Sequence, residues 1–241
     1  MKKTAFWSMC LAIGFTGIAE ADLITLPTDL TVGDRYRLAF VTDGTRDATS
    51  ADIGDYNTFV TRQAALSSGL TALGTTWTAI GSTSTVAARD NTHTNTSIDG
   101  AGVPIYLLTN TRIADNYADL WDYSLATALQ VNQYGDTLDC STEANCWVFT
   151  GSNSDGSKSL DGSYLGATGN WAEIGIASLT DGQWINDEGS ARTTRVHRFY
   201  AMSDVLEVPN PVPIPAAAWL FGSALLGVVG LGYRNRKQSA A

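Results

Sequence analysis

Residues 36–42 read YRLAFVT, 43–50 read DGTRDATS, and 51–66 read ADIGDYNTFVTRQAAL. The first stretch alternates and is rich in β-branched and aromatic residues, which predicts a strand. The second is turn chemistry. Thr49 with Asp52 three residues later matches a capping box. Ile53, Tyr56, Val60 and Ala64 then recur at helical spacing, which predicts one amphipathic helix over Ala51–Leu66. Outward from this unit, short strands are expected at Trp77–Ile80, Ile105–Thr109, Trp147–Thr150, Trp171–Ile176 and Phe199–Val205, and a second helix at Ala114–Leu129. The remainder is Ser, Thr, Gly, Asn and Asp loop. The expected class is α+β: one domain over 22–209 with two helices, short mixed or antiparallel strands and long loops. A faint echo accompanies it. Thr45-Arg46, Ala51-Asp52 and Asp55-Tyr56 recur as Thr111-Arg112, Ala118-Asp119 and Asp122-Tyr123, either a repeated strand–loop–helix unit or coincidence among common residues.

The chain of 241 residues is long enough for a sizeable core, and 44% of it is hydrophobic. Its net charge is −9, but the basic residues gather at the ends. Between Asp22 and Pro209, 10 basic residues face 23 acidic ones, a net of −13. A binder that tracks nucleic-acid phosphates needs the opposite sign, so that class is excluded.

Both ends read as targeting segments. Lys2 and Lys3 precede an apolar run from Ala5 to Ile18, and Ala19-Glu20-Ala21 supplies the small-x-small pattern cut by signal peptidase. Residues 1–21 are therefore expected to be a signal peptide, the alternative being an uncleaved anchor. At the other end Val208–Pro215, VPNPVPIP, is an extended spacer. Ala216–Tyr233 has no charge over 18 residues, the length of a transmembrane helix, and Arg234, Arg236 and Lys237 form a basic flank that stays cytoplasmic. Val212-Pro213-Ile214-Pro215-Ala216, then the apolar segment, then the basic cluster, resembles the VPLPA variant of the PEP-CTERM sorting signals, with Ile214 in place of the central Leu. That resemblance implies handling by an exosortase in a Gram-negative bacterium that makes extracellular polysaccharide. It also implies transient residence in the inner membrane, removal of residues 216–241, and delivery to the cell surface or extracellular matrix. A plain C-terminal anchor is the alternative.

In an exported chain Cys140 and Cys146, six residues apart, are expected to form a disulfide that pins the loop before the Trp147 strand. No catalytic signature stands out: His93 and His197 are the only histidines after the signal segment, and no G-x-S-x-G, P-loop or H-E-x-x-H occurs. A non-enzyme is expected. The C-terminal third is richer. Trp147-Val-Phe-Thr-Gly, the Asn153/Asp155/Gly156 loop, Trp171, and Trp184-Ile185-Asn186-Asp187 before a final strand resemble the C-type lectin-like and endostatin-like domains of bacterial surface proteins. The resemblance implies a lectin-like fold and a binding function, with Trp184, Asn186, Asp187, Asn153 and Asp155 as ligand or calcium contacts. The Glu-Pro-Asn or Gln-Pro-Asp triplet of calcium-dependent sugar readers is absent. On the residues alone, Asn153 and Asp155 fit either a turn or a calcium ligand pair, and Asn186 and Asp187 fit either a ligand loop or a turn before Gly189. Of the five Trp in the domain, one or two exposed ones suit stacking on sugar rings. The functional expectation is a non-enzymatic surface or matrix protein binding extracellular glycan; a protein-contact adhesin and an envelope hydrolase are the alternatives.

Overall fold

A computed structural model describes residues 26–210. The predicted signal peptide (1–21), the sorting motif Val212–Ala216, the apolar segment 216–233 and the basic residues Arg234, Arg236 and Lys237 lie outside these. Among the described residues no helix is long and apolar enough to cross a membrane.

The chain is mixed α and β. In order it forms β1 (Arg35–Val41), α1 (Ile53–Ala64), α2 (Ser68–Ala72), β2 (Trp77–Ala79), α3 (Ala88–Asn91), α4 (Thr96–Asp99), β3 (Ile105–Leu107), β4 (Arg112–Ala114) and α5 (Tyr117–Leu120). Then come β5 (Trp147–Phe149), β6 (Trp171–Ile176), β7 (Ser190–Arg192), β8 (Tyr200–Ser203) and β9 (Leu206–Glu207). One sheet runs β2-β8-β1-β3-β4, with β9 also pairing β1; a second is β5-β6-β7. The first is mixed, because β1 pairs parallel with β3 and antiparallel with β8 and β9. The second is antiparallel.

β1 is buried along both faces after Arg35, which is why its sequence is apolar beyond simple alternation. Arg37 lies within it at 2% exposure. A cation that deep needs partners: its Nε donates to the Ser203 carbonyl at 2.8 Å, its Nη1 to the Thr92 carbonyl at 2.5 Å, and the guanidinium stands 5.6 Å from the Tyr117 ring. α1 packs Tyr56, Val60 and Ala64 inward, the face the sequence spacing assigns.

Several local expectations are corrected. The cap of α1 is Asp52, whose carboxylate accepts from Gly54 N at 2.9 Å, and Thr49 instead donates to Asp47. The helix expected over Ala114–Leu129 shrinks to the four residues of α5. Asn116 caps it, but Tyr123 sits at φ 76°, and the next amides take distant partners: Leu125 N donates to Thr180 O and Ala126 N to Ile113 O. Tertiary backbone bonds override the helical spacing there. The echo is likewise no repeated unit. Arg46 stands 4.4 Å over the Tyr56 ring, whereas its counterpart Arg112 stands over Tyr106, and Tyr123 lies exposed beyond the helix. Cys140 and Cys146 stand at disulfide distance, Cα to Cα 5.5 Å.

The two sheets meet at Phe199. Its ring stacks on Tyr56 at 5.2 Å and meets Phe59 at 5.7 Å and Phe149 at 6.0 Å, so one fully buried side chain touches α1 and the second sheet together. Phe199→Ala should therefore cost about 3–5 kcal/mol and leave one cooperative urea transition. A loss below about 1 kcal/mol, or two separate transitions, would show that the sheets do not depend on this joint.

Candidate functional site

β6 is the central strand of the second sheet. Alternation places Trp171 and Glu173 on one face, with Arg192 across from Trp171 and Ser190 across from Glu173 on β7. The loop after β5 folds back over this face: Ser163 O accepts from Glu173 N at 2.7 Å, while Glu173 O accepts from Thr150 N and Gly151 N. The loop between the Gly182–Trp184 turn and β7 closes the other side, with Asp187 N donating to Ile174 O.

Between these loops lies a cavity of about 320 Å³ lined by Asn153, Ser159, Asp161, Glu173, Asn186 and Glu188. Glu173 is 5% exposed, and its carboxyl has no hydrogen-bond or ion-pair partner among the described residues. Burial first, then the negative charge of Asp161, Asp187 and Glu188, pushes that carboxyl up to about 7. Asp161 is tuned the opposite way. Its Oδ1 accepts from Ser159 Oγ at 2.5 Å and Ser163 N at 2.8 Å, and these bonds hold it below the usual carboxylate range.

The structure brings two of the predicted contacts together: Asn186 Nδ2 donates to Asn153 Oδ1 at 3.5 Å. The others are placed differently. Trp184 is 0% exposed, stacked on Trp121 at 6.0 Å and against Tyr200 at 5.5 Å, so it belongs to the core and no ligand reaches it. Asp155 Oδ1 accepts from Ser157 N and Oγ, and its other oxygen meets Arg89 Nη1 at 3.4 Å. Asn186 Oδ1 accepts from Glu188 N at 2.9 Å, the turn role, while Asp187 makes only a 3.4 Å contact with Gln183 Nε2. Of the four residues in the calcium expectation, Asn153, Asp155 and Asn186 have side-chain oxygens that already accept hydrogen bonds, whereas the Asp187 carboxylate has only the long Gln183 contact. Among the described residues no group of three or more His, Cys, Asp or Glu side chains is placed to hold a metal ion.

Sharing Ser190 with this cavity is a second groove of about 360 Å³, lined by Trp147, Trp171, Arg192, Arg195 and His197. Trp171 is 43% exposed, and the Arg192 guanidinium stands 5.0 Å from its ring centroid. His197 packs edge-on to Phe149 at 4.8 Å and Trp147 at 5.7 Å; burial, then Arg195, pushes its imidazole below the ordinary value, so it is neutral at pH 7 and the groove's charge is that of the two arginines. Sequence reasoning passed over Glu173. The available signal was a lone acid inside the otherwise apolar run WAEIGI, where alternation pairs it with Trp171.

No family model and no curated protein matches the chain.

Glu173 generates a pH prediction. Its carboxyl holds a proton more tightly folded than unfolded, so its contribution to stability is full below pH 4.5, declines as pH rises towards 7, and levels off above. At about 1.4 kcal/mol per tenfold difference in proton affinity, the span from 4.5 to about 7 is roughly 3 kcal/mol. Glu173→Gln should flatten that part of the profile and exceed the native chain in stability at pH 8. Urea unfolding at pH 5 and pH 8 checks it; parallel profiles for the two proteins would contradict it.

Proposed function

We propose that the chain is an exported cell-surface or extracellular-matrix protein, without enzymatic activity, that binds extracellular polysaccharide through the β6–β7 face. The observation that carries the binding reading is the exposed Trp171 ring beside a cavity of hydrogen-bonding side chains. Sugar recognition needs this combination: a flat apolar surface for the C–H faces and polar groups for the hydroxyls. The lectin-like comparison draws support from a mixed α/β domain with long loops, the cysteine pair in the loop before β5, and Asn186 and Asp187 on a loop ahead of the last strands.

The sorting reading rests on the order of the C-terminal sequence: Val212–Ala216, an uncharged segment, then Arg234, Arg236 and Lys237. Signal peptidase, exosortase and, transiently, the inner membrane are the partners it implies. The mature protein then begins at Asp22 and ends near Pro215. Intact-mass measurement on protein from the native host tests this; a mass that retains residues 216–241 would make the tail a permanent anchor.

One observation favours a second reading, an envelope glycoside hydrolase. Glu173 holds its proton near neutral pH while Asp161, on the same cavity, is ionised, the divergence expected of an acid and its carboxylate partner. Release of reducing ends from the host's matrix polysaccharide, lost in Glu173→Gln, would establish it. Under the binding reading no reducing ends appear. The full chain is then retained on the immobilised polysaccharide equally with and without a chelator, because the oxygens of Asp155 and Asn186 serve turns. Trp171→Ala should weaken retention at least tenfold; unchanged retention would remove the β6–β7 face from the binding site.

A further inference from the structure

We infer that the groove between Trp147 and Trp171 takes a carboxylate-bearing sugar, a uronate unit, packed against Trp171 with its carboxylate held by Arg192 and Arg195. The inference rests on the glycan reading above and names its ligand class.

The first ground is what the two arginines do not do. Between Asp22 and Pro209 acids outnumber bases 23 to 10. Arg37, Arg89, Arg112 and Arg198 all take carboxylate partners. Arg198, only three residues from Arg195, also donates to the carbonyls of Thr42, Asp43 and Asn145. Arg192 and Arg195, like Arg35 and Arg62, form no ion pair among the described residues and are exposed, but only Arg192 and Arg195 of these four line a common groove. Two uncommitted guanidinium forks on one groove of an acid-rich domain match the planar, bidentate geometry of a carboxylate.

The second ground is shape. The groove's volume of about 360 Å³ falls in the range of small-ligand sites. Its walls include two indoles, and the Arg192–Trp171 pair presents positive charge and apolar ring surface together. A neutral sugar would leave both forks unused, and an acidic peptide would offer no ring face to the indoles. A long polyanion tracked by charge alone would be opposed by the net −13 of the domain, which points to a local unit read by contact.

The third ground is polarity. On the far side of Ser190 lie Asp161 and Glu188, which repel an anion, beside the Glu173 carboxyl. A uronate in the groove therefore has a defined orientation, carboxylate at the arginine end and hydroxyls towards Ser190.

Titration calorimetry on the full chain tests the inference with three probes: a hexauronate, neutral cellohexaose and hexaglutamate. The hexauronate should bind at least tenfold more tightly than either other probe. Trp171→Ala and Arg192→Gln should each weaken it at least tenfold, and Arg62→Gln on α1 should leave it unchanged. Should Trp171→Ala fail to fold, Arg192→Gln and Arg195→Gln, both at exposed positions, decide the matter. Equal affinity for cellohexaose would overturn the charge requirement, and equal affinity for hexaglutamate would overturn the saccharide. Hexauronate binding insensitive to all of these variants would move the site elsewhere and leave glycan binding standing. Absence of any saccharide binding would remove both.

Discussion

The segment His197–Ser203 is the strut on which both sheets hang. As β8 it sits between β1 and β2 and completes the larger sheet. Just before that, Arg198 O accepts from Phe149 N at 3.0 Å, and Val148 bridges Arg198 in parallel, so the same few residues hold the edge of the smaller sheet. Phe199 fills the angle between them, and the Tyr200 hydroxyl donates to Trp184 O at 2.8 Å, fixing the turn that carries Asn186 and Asp187. β1 lies some 160 residues earlier, so closing this joint costs loop entropy that only late, non-local contacts repay. The segment's sequence shows why it can do this: Phe199, Tyr200, Ala201 and Met202 are all buried, leaving no solvent face to surrender.

The smaller sheet inherits its rigidity from that joint and uses it to hold a costly arrangement. A glutamate 5% exposed overall, its carboxyl lining a cavity without a hydrogen-bond partner and near three other acids, is costly to keep ionised. It survives at position 173 because protonation near neutral pH relieves most of the penalty. The same face ends in Trp171 and Arg192, so within one strand pair the surface passes from acidic and polar to aromatic and cationic. On the proposed glycan reading, that gradient orients the bound sugar.

Much of the framework was legible in the sequence, and the reasons for success and failure differ by element. α1 was readable because its buried residues Tyr56, Val60 and Ala64 keep the helical period, and β6 because a short, mostly apolar run buried on both faces reads as a strand; Trp171–Ile176 is found at the expected limits. The region after Ala114 was not, since Tyr117, Trp121, Leu125 and Leu129 are buried at helix-like spacing by a chain whose amides bond to Ile113 and Thr180. Periodicity reports which side chains are buried and not what the backbone does between them. The candidate site was legible in part. Asn153 and Asn186 do meet, but Trp184, read as a contact, is the core residue beneath, and Trp171 is the one with an open ring. A sequence cannot rank five tryptophans by exposure when each is flanked by similar loop residues.

The acidity of the domain also changes meaning once each carboxylate is located. Asp47, Asp52, Asp122, Asp139, Asp155, Asp161 and Asp181 each accept a hydrogen bond from the backbone amide two residues on. They are the pins of long Ser-, Thr- and Gly-rich loops that have no ladder of their own, a task for which Asp and Asn are suited. A substantial part of the negative charge is therefore engaged in loop construction and says little about what the protein binds. What remains includes Glu173, an acid that caps nothing, and Arg192 and Arg195, which form no ion pair among the described residues and, unlike Arg35 and Arg62, line one groove together. Among the described residues Arg89 Nε, Trp147 Nε1 and Trp184 Nε1 are also buried without a partner, so it is the gathering of Glu173, Arg192 and Arg195 beside one strand pair, and not a lack of partners alone, that supports the proposed binding face.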